Sequence, residues 1–318
     1  MGCSNIAFFV HDSRCLNSDF RSLLTARDRK RFHRMHISEF IRGRRLHPAA
    51  ASRQLDAAET VAVHRRIIKE NPLLATYYAF VYEFFERTEK QLKSLQLPSL
   101  EIGSGGGFLK EFIPEVITSD VVAAEGIDRM EDAVHLSFPD RSLKAVYANG
   151  VLHHIHEPQK CLAEIQRVLV PGGMFVCNEP SSTPFGYFMN RHFHKEYSDR
   201  TVTDWKISDD GRGGRLTGAN MALPYVIFTR DRALFNVRFP CLKIRQIVHH
   251  DFMRYTLSGG LSYRPFVPPF FFGAVKILES LARPLMPIVG HAMIVTVERL
   301  QKPRRQQADI QPLSRKAT

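Results

Sequence analysis

The sequence lacks the features that define several common classes of protein. None of its five cysteines belongs to a C-x-x-C pair, so reduced thiols of a cytosolic type of compartment are expected. Residues 1–10 have no basic region before their short apolar run, which argues against a signal peptide. The most apolar stretch, between residues 265 and 289, is interrupted by Lys276, Glu279 and Arg283 and is too broken to cross a membrane. We therefore expect a cytoplasmic protein.

The positive charge is concentrated at the two ends. The chain of 318 residues has a net charge of +12, of which residues 1–50 carry +6 and residues 301–318 carry +4. A chain that tracks nucleic-acid phosphates would have a basic body, so binding to nucleic acid is not expected. Residues 1–52 are charged and aperiodic and are predicted to be a disordered arm. Residues 53–300 are predicted to form one globular domain, followed by a basic tail over 301–318.

A glycine-rich stretch dominates the middle of the chain. Leu95 to Ile102 can form a short buried strand, the turn Gly103-Ser104-Gly105-Gly106-Gly107 follows, and Phe108 to Ile113 is predicted to be a short helix closed by Pro114. A strand that passes through a glycine turn into a helix is a common way to hold a nucleotide-like ligand. Phe108 stands where the dinucleotide fingerprint G-x-G-x-x-G needs its last glycine, and no Gly-Lys-Ser/Thr of a P-loop follows.

The pattern that is present is acidic-x-G-x-G-x-G, formed by Glu101, Gly103, Gly105 and Gly107. At these residues the chain resembles the class I methyltransferases that use S-adenosylmethionine (SAM), particularly the type 11 group. The resemblance extends well over residues 55–180. It implies an α/β fold: an open, mostly parallel, seven-stranded Rossmann-like sheet with helices on both faces and the last strand antiparallel. It also implies SAM as the cofactor and methyl transfer as the reaction.

Two carboxylates downstream of the turn are candidates for cofactor binding. Asp120 ends the predicted second strand, about 20 residues past the turn, where an acid can accept both ribose hydroxyl protons. Asp132 begins a stretch that matches the family's D-A-x-x-L-P-F, with Ser137 in place of proline. In the family this Asp accepts from the adenine amino group and the next amide, here of Ala133, reaches a ring nitrogen. The alternatives are a turn residue at Asp120 and a cap at Asp132.

Asn149 ends the predicted fourth strand, Leu143 to Asn149, where the family places a small polar residue that faces the methionine part of SAM. The run L-x-P-G-G, which recurs in the family before strand five, appears here over residues 169–173. The cofactor-binding residues predicted in this way are Glu101, Gly103, Ser104, Gly105, Gly107, Asp120, Asp132, Ala133 and Asn149.

The histidines suggest a base rather than a metal site. No pair of histidines has the H-E-x-x-H spacing or a partnering pair of cysteines, so no metal is expected. His154 lies in an L-H-H stretch that, in the family, follows strand four beside the mouth of the active site. Because histidine titrates near neutral pH, His154 is a candidate general base. Capping of local structure is the alternative.

Two segments outside the minimal fold are candidates for binding the methyl acceptor. An insertion over residues 180–238 carries several aromatic residues and follows strand five, so we expect it to cap the carboxyl edge of the sheet. The connection over residues 251–290 is strongly apolar. It is open to three interpretations: packing within the fold, a dimer face, or peripheral membrane contact through residues 265–289. Helices are also predicted before the first strand, over 55–70 and 73–97, to pack on the sheet or to cover the cofactor.

These observations predict an enzyme that transfers a methyl group from SAM to a small, substantially apolar acceptor. One alternative is a SAM-binding partner or scaffold protein without catalysis. Another is an RNA methyltransferase that uses the basic N-terminal arm. The weakly charged body and the lack of an Asn-Pro-Pro-Tyr-type tetrapeptide after strand four argue against the RNA enzyme.

Overall fold

The computed structural model of the protein describes residues 58–194, 196–207 and 218–303. The predicted arm over 1–52 and residues 304–318 of the predicted tail lie outside these ranges. The fold is built on one sheet with the strand order β3-β2-β1-β4-β5-β7-β6. Its strands are β1 (Ser99–Ile102), β2 (Ile117–Asp120), β3 (Arg129–Met130), β4 (Leu143–Asn149), β5 (Leu169–Pro180), β6 (Leu242–His250) and β7 (Ala292–Arg299).

Strand direction follows the predicted arrangement. Strands β1 to β5 pair in parallel. Strand β7 lies antiparallel between β5 and β6. The open, mostly parallel sheet with an antiparallel last strand is therefore confirmed.

Helices cover both faces of the sheet. They are α1 (Ala58–Glu70), α2 (Pro72–Gln91), α3 (Pro158–Val168), α4 (Pro184–Phe193), α5 (Leu223–Tyr225), α6 (Arg232–Arg238), α7 (Arg254–Ser258), α8 (Phe272–Leu281) and α9 (Met286–Val289). Successive side chains of a strand point to opposite faces. Val146 and Ala148 of β4 accordingly join a core with α3 and α6, whereas Ala145 and Tyr147 join a second core with α2.

The start of α2 is defined by Asn71 and Pro72. The Asn71 side chain accepts a hydrogen bond from the Leu74 amide at 3.2 Å, and proline occupies the first turn, where its missing N–H is not needed. The predicted break between the two N-terminal helices is thus also the N-cap of the second. The Asn71 amide group donates to the Ser258 carbonyl at 2.8 Å, which ties α2 to α7.

The connections in the first half of the sheet are short. The predicted helix over Phe108–Ile113 is wrong, because a 3-10 turn (Leu109–Glu111) stands there. No α-helix occurs anywhere between β1 and β4, a part of the chain that is described throughout. Asp128 instead links β2 to the chain before β3, since its carboxylate accepts from the Thr118 amide at 2.9 Å and its own amide donates to the Thr118 carbonyl at 3.0 Å.

The two segments outside the minimal fold, residues 180–238 and 251–290, stand before and after β6 in the chain. The first ends with a π-helix (Val226–Arg230) followed by α6. The connection between β6 and β7 contains α7, α8 and α9. Within the described ranges, no helix has both the length and the apolar character needed to span a membrane.

Candidate active site

The candidate site lies at the carboxyl edge of the parallel strands. Strands β1, β2, β4 and β5 run in the same direction, so Ile102, Asp120, Asn149 and Pro180 end at one edge of the sheet. Ligands of open α/β sheets bind outside this edge. The glycine turn begins there, directly after β1.

The glycines of the turn are required for different reasons. Gly103 has a φ of +61°, and an added Cβ would lie 2.6 Å from a Val151 methyl group. A Cβ on Gly106 would meet the Arg65 amide nitrogen of α1 at 2.6 Å, and one on Gly107 would clash with the Tyr82 hydroxyl of α2. Gly105 has a φ of +47°, but an added Cβ would find only the Gly103 carbonyl, 3.9 Å away. Packing within the protein therefore explains three of these glycines but leaves space beside Gly105.

Ser104 joins β1 to β2. Its amide donates to the Ser119 carbonyl at 2.9 Å, and its hydroxyl accepts from the Ser119 amide at 3.2 Å. The side chain is buried. In this structure Ser104 therefore stabilises the turn.

Glu101 is a buried carboxylate with an unpaired oxygen. Glu101 is 1% exposed, and its Oε2 atom has no hydrogen-bond partner among the described residues. Burial raises the pKa of Glu101 to about 8, the charge of Asp120 adds to this effect, and the Ser104 hydroxyl and the Arg65 charge oppose it. A cationic group placed beside Glu101 would relieve the cost of burying its charge.

Asp120 ends β2, as predicted, and contacts the glycine turn. One oxygen of its carboxylate, Oδ2, accepts a hydrogen bond from the Gly105 amide at 3.0 Å, and the other accepts from the Val122 amide at 3.4 Å. A carboxylate also has further lone pairs for the hydroxyl groups of a ligand. Asp120 and Gly105 are thus brought together across 15 residues of chain.

Asp132 is exposed and caps a turn. Its carboxylate accepts from the Val134 amide at 3.1 Å, and its carbonyl accepts from the His135 amide at 2.8 Å. This arrangement leaves the Ala133 amide at the edge of the same turn. The Ser137 amide donates to the Glu131 carboxylate at 2.9 Å. The proline that the family has at this position could not form this hydrogen bond, because it lacks an N–H.

Asn149 belongs to a buried polar network that the sequence analysis did not predict. Its Oδ1 accepts from Asn178 Nδ2 at 2.7 Å, and its own Nδ2 is buried and forms no hydrogen bond of good geometry with the described residues. Asn178 also donates to the Tyr77 hydroxyl at 2.8 Å and accepts from His250 Nε2 at 2.7 Å. Burial lowers the pKa of His250 to about 3, so this histidine is neutral. The feature of the sequence that could have predicted this network is Asn178, a polar residue within the apolar strand β5.

His153 and His154 follow β4 on a 3-10 turn (Leu152–His154). The buried Glu179 carboxylate accepts from His153 Nδ1 at 2.7 Å and from the Val151 and Leu152 amides at 3.0 and 2.8 Å. Burial alone would lower the pKa of His153, but the carboxylates of Glu179 and Glu196 raise it to about 9. Burial and the neighbouring His153 charge lower the pKa of His154 to about 3, which makes His154 a weak base.

The predicted acceptor cap and the apolar connection contact each other. The Thr183 hydroxyl, at the N-terminus of α4, donates to the Gly290 carbonyl at 2.7 Å. The rings of Phe185 and Phe252 lie 5.1 Å apart. Phe188 of α4 is half exposed, whereas Trp205 from the same insertion is fully buried and belongs to the core. The aromatic residues of this insertion therefore divide between surface and core.

Strand order and the glycine turn together define the fold of a class I SAM-dependent methyltransferase. Comparison with known families confirms the resemblance: residues 100–177 match the family model described as a methyltransferase domain. This matched segment runs from β1 into β5 and includes the glycine turn, Asp120, Asp132 and Asn149.

Curated relatives resemble the same part of the chain. A protein of Symbiobacterium thermophilum named demethylmenaquinone methyltransferase is 30% identical over 113 residues, which are 35% of this chain and 41% of that protein. A protein of the same name from Renibacterium salmoninarum is 42% identical over 71 residues, 22% of this chain and 29% of that one. The chain thus spans less than half of the length of these relatives.

Solved structures give a weaker likeness. A SAM-dependent methyltransferase from Archaeoglobus fulgidus is 14% identical, with 69% of this chain and 94% of that chain covered and a TM-score of 0.39. The YcgJ protein from Bacillus subtilis, also 14% identical, gives a TM-score of 0.37 over 68% of this chain and 98% of the other.

The cofactor of this class of domain is SAM, and three observations fit it. Within the described part of the chain, Glu101 Oε2 is a buried acceptor and Asn149 Nδ2 a buried donor, each without a hydrogen-bond partner. No described residue fills the space beside Gly105. SAM carries a cationic amino group and a carboxylate, so an unpaired acceptor and an unpaired donor match its amino-acid part.

Proposed function

We propose that the protein transfers the methyl group of SAM to a small, substantially apolar acceptor. The observation that carries the proposal is the group formed by Glu101, Gly105, Asp120 and Asn149 at the carboxyl edge of a methyltransferase-type sheet. Methyl transfer from a sulfonium requires mainly that donor and acceptor be held in line, which a rigid sheet edge can provide.

Each member of this group has a proposed part in holding SAM. Glu101 and Asn149 bind the amino and carboxylate groups of the methionine part, because each has a buried polar atom without a partner. Asp120 accepts from the ribose hydroxyls while keeping its bond to the Gly105 amide. Gly103, Ser104 and Gly107 maintain the shape of the turn, and Asp132 with Ala133 presents a second turn to the adenine.

A general base need not come from His154. The low pKa of His154 leaves this histidine neutral and weakly basic. The acceptor therefore has a proton acidic enough to leave without strong assistance, or it loses its proton to another base. We retain His154 as a residue of the acceptor side.

An apolar acceptor is supported by the segment between β6 and β7 and by the names of the relatives. We define the apolar surface as a set of seven exposed apolar side chains that lie just before α8, in α8 and after it. Its members are Phe270, Phe271, Ile277, Leu278, Leu281, Leu285 and Ile288. The relatives are named for demethylmenaquinone, a molecule of apolar character.

We further propose that the apolar surface rests on an anionic lipid bilayer, from which such an acceptor would be taken. Between residues 252 and 290 the exposed charges are Arg264, Lys276 and Arg283, all positive. Glu279, the acid of this segment, is buried and pairs with Arg254 at 2.9 Å. Exposed apolar side chains flanked by basic residues are the pattern of an interfacial element that lies in anionic lipid.

Binding and transfer are tested in sequence. Calorimetry is expected to show micromolar binding of SAM and of S-adenosylhomocysteine, with NAD and ATP as ligands that give no heat. Isotopically labelled SAM is then incubated with the protein and either a lipid extract or bulk RNA. We expect label in the organic phase. Label in RNA alone would refute the acceptor class, and SAM binding without transfer to any fraction would favour a scaffold protein.

Sedimentation with vesicles tests the bilayer proposal. The wild type is expected to bind vesicles of phosphatidylcholine and phosphatidylglycerol more strongly than vesicles of phosphatidylcholine alone. A Phe270→Ser, Leu281→Ser double variant should lose this binding and keep its SAM affinity. Val237→Ser is the matched control, since Val237 is 59% exposed on α6, outside the apolar surface. Equal loss in the double variant and in the control would contradict the proposal.

A further inference from the structure

A second cluster of polar side chains lies beside the proposed SAM site. It consists of His153 and His154, after β4, and Glu196, in the insertion after α4. The ligand atoms that these three side chains offer all lie within 4.8 Å of one another. The spacing of residues in the sequence does not predict this cluster, because the carboxylate of Glu196 lies 42 residues beyond His154.

The cluster is arranged as metal ligands usually are. His153 donates from Nδ1 to the buried Glu179 carboxylate at 2.7 Å, which leaves its Nε2 facing Glu196. A histidine that binds a metal almost always donates its other ring nitrogen to a carboxylate or carbonyl in this way. Glu179 is itself fixed by the Val151 and Leu152 amides. The orientation of the His153 ring is therefore set by the protein.

Two buried atoms of the cluster, His154 Nδ1 and Glu196 Oε2, form no hydrogen bond with the described residues. Glu196 Oε2 also lies 3.9 Å from His194 Nδ1, an ion-pair distance. His153 Nε2 lies 3.5 Å from Glu196 Oε2, too long for a good hydrogen bond. Two ligands held 2.0–2.1 Å from a tetrahedral metal stand about 3.3 Å apart, so this separation is that of neighbouring ligands. The widest separation in the cluster would need to shorten by about 1.5 Å.

The loop that carries Glu196 is anchored independently of the cluster. The Met221 amide donates to the Tyr197 carbonyl at 2.9 Å. Asp199 and Asn220 exchange two further hydrogen bonds, each 3.0 Å long. The residues that follow Glu196 are thus held by hydrogen bonds to Asn220 and Met221, outside the cluster.

We propose that His153, His154 and Glu196 form a binding site for a divalent first-row transition-metal ion, with Zn²⁺ as the representative ion. Two imidazoles and one carboxylate suit Zn²⁺ and its neighbours better than Mg²⁺ or Ca²⁺, which prefer oxygen ligands. Three protein ligands leave one position of a tetrahedron open for water or for an oxygen of a bound molecule. The proposal does not depend on the methyl acceptor or on SAM binding.

Cobalt spectroscopy on the full chain tests this site. Co²⁺ is titrated into the wild type, into Glu196→Gln and into His154→Phe, and the visible d–d absorption is followed. Glu196→Gln keeps the size of the side chain, and His154→Phe keeps a ring beside His153, whose centroid lies 4.1 Å from that of His154. We expect the wild type to show the absorption band of tetrahedral Co²⁺. This band should saturate with one more Co²⁺ ion bound per chain than in either variant, and added Zn²⁺ should displace the Co²⁺ and abolish the band. Affinity should fall at least tenfold in each variant.

His135→Gln is the matched control, because His135 is exposed and lies outside the cluster. It should retain the full band. Circular dichroism checks that each variant is folded. A wild-type band no stronger than that of Glu196→Gln, or a loss of equal size in His135→Gln, would overturn the proposal.

Discussion

Replacing Glu101 with glutamine is expected to make the protein more stable in alkaline solution and less able to bind SAM. Glu101 is 1% exposed, and burial is the main reason that its pKa rises from an ordinary 4.5 to about 8. The folded state therefore favours the protonated carboxyl. That stability is fully present below pH 4.5 and is lost as the pH rises through 8.

The size of the effect follows from the shift. Each pKa unit corresponds to about 1.4 kcal/mol, so ionising Glu101 in the folded protein costs about 3–5 kcal/mol. Glutamine keeps the shape of the side chain but cannot ionise. The free energy of unfolding of Glu101→Gln should therefore exceed that of the wild type by several kcal/mol at pH 8.5, and the difference should shrink towards pH 5.

Urea unfolding of both proteins at intervals between pH 5 and pH 9 measures this difference, and other titrating groups cancel in the comparison. Glu111→Gln is the control, because Glu111 is an exposed carboxylate on the 3-10 turn, where it pairs with Lys69. Its difference from the wild type should stay small and nearly constant. Curves for Glu101→Gln and the wild type that run parallel over the whole range would refute the reasoning.

The same variant tests the function of the buried charge. If Glu101 holds the cationic amino group of SAM, its loss removes a hydrogen bond between charged groups, worth about 1.5–3 kcal/mol. Calorimetry at pH 8.5 should then show SAM affinity reduced more than tenfold in a protein that unfolds less readily. Unchanged affinity would remove Glu101 from the proposed site.

Four further predictions follow from the site and its surroundings. Gly105→Val should abolish SAM binding in calorimetry, because a β-branched side chain disfavours a φ of +47° and fills the space beside the turn. Asp120→Ala should weaken SAM binding by about 1.5–3 kcal/mol, and normal affinity would exclude the ribose role. Phe272→Ser should lower the free energy of unfolding by about 3–5 kcal/mol because Phe272 is buried, whereas Phe271→Ser, at a half-exposed position, should leave it nearly unchanged. A chain that begins at Gln54 should keep its SAM affinity and its thermal midpoint, and a large fall in that midpoint would show that the removed residues stabilise the domain.

Local patterns were sufficient to predict β1, β2, β4 and the glycine turn, whereas the short strand β3 was not predicted. The apolar run into Glu101, the glycines after it and the apolar run of β4 are each contained within a short stretch, so composition and turn chemistry identify them. The predicted helix over Phe108–Ile113 failed because contacts distant in sequence decide this stretch. Phe108 packs edge-on against Tyr82 of α2 at 5.0 Å, and Leu109 is buried beneath the same helix.

The polar groups of the site were harder to predict because they are assembled across the sheet. Asn178 contacts Tyr77 and His250 over 101 and 72 residues of chain. His153 and Glu196 stand 43 residues apart, and no spacing rule connects them. Packing of α2 on the sheet, the position of β7 between β5 and β6, and anchoring of the insertion bring these residues within reach of one another.

The glycine turn has a consequence for how this family of sequences changes over time. A side chain at Gly103, Gly106 or Gly107 would collide with Val151, α1 or α2, respectively. A descendant that no longer used SAM would therefore still have to keep these three glycines in order to fold. Gly105 alone is free of such a neighbour. A relative that retains the other three glycines and replaces Gly105 with a larger residue would therefore be a candidate pseudoenzyme, recognisable from that single position.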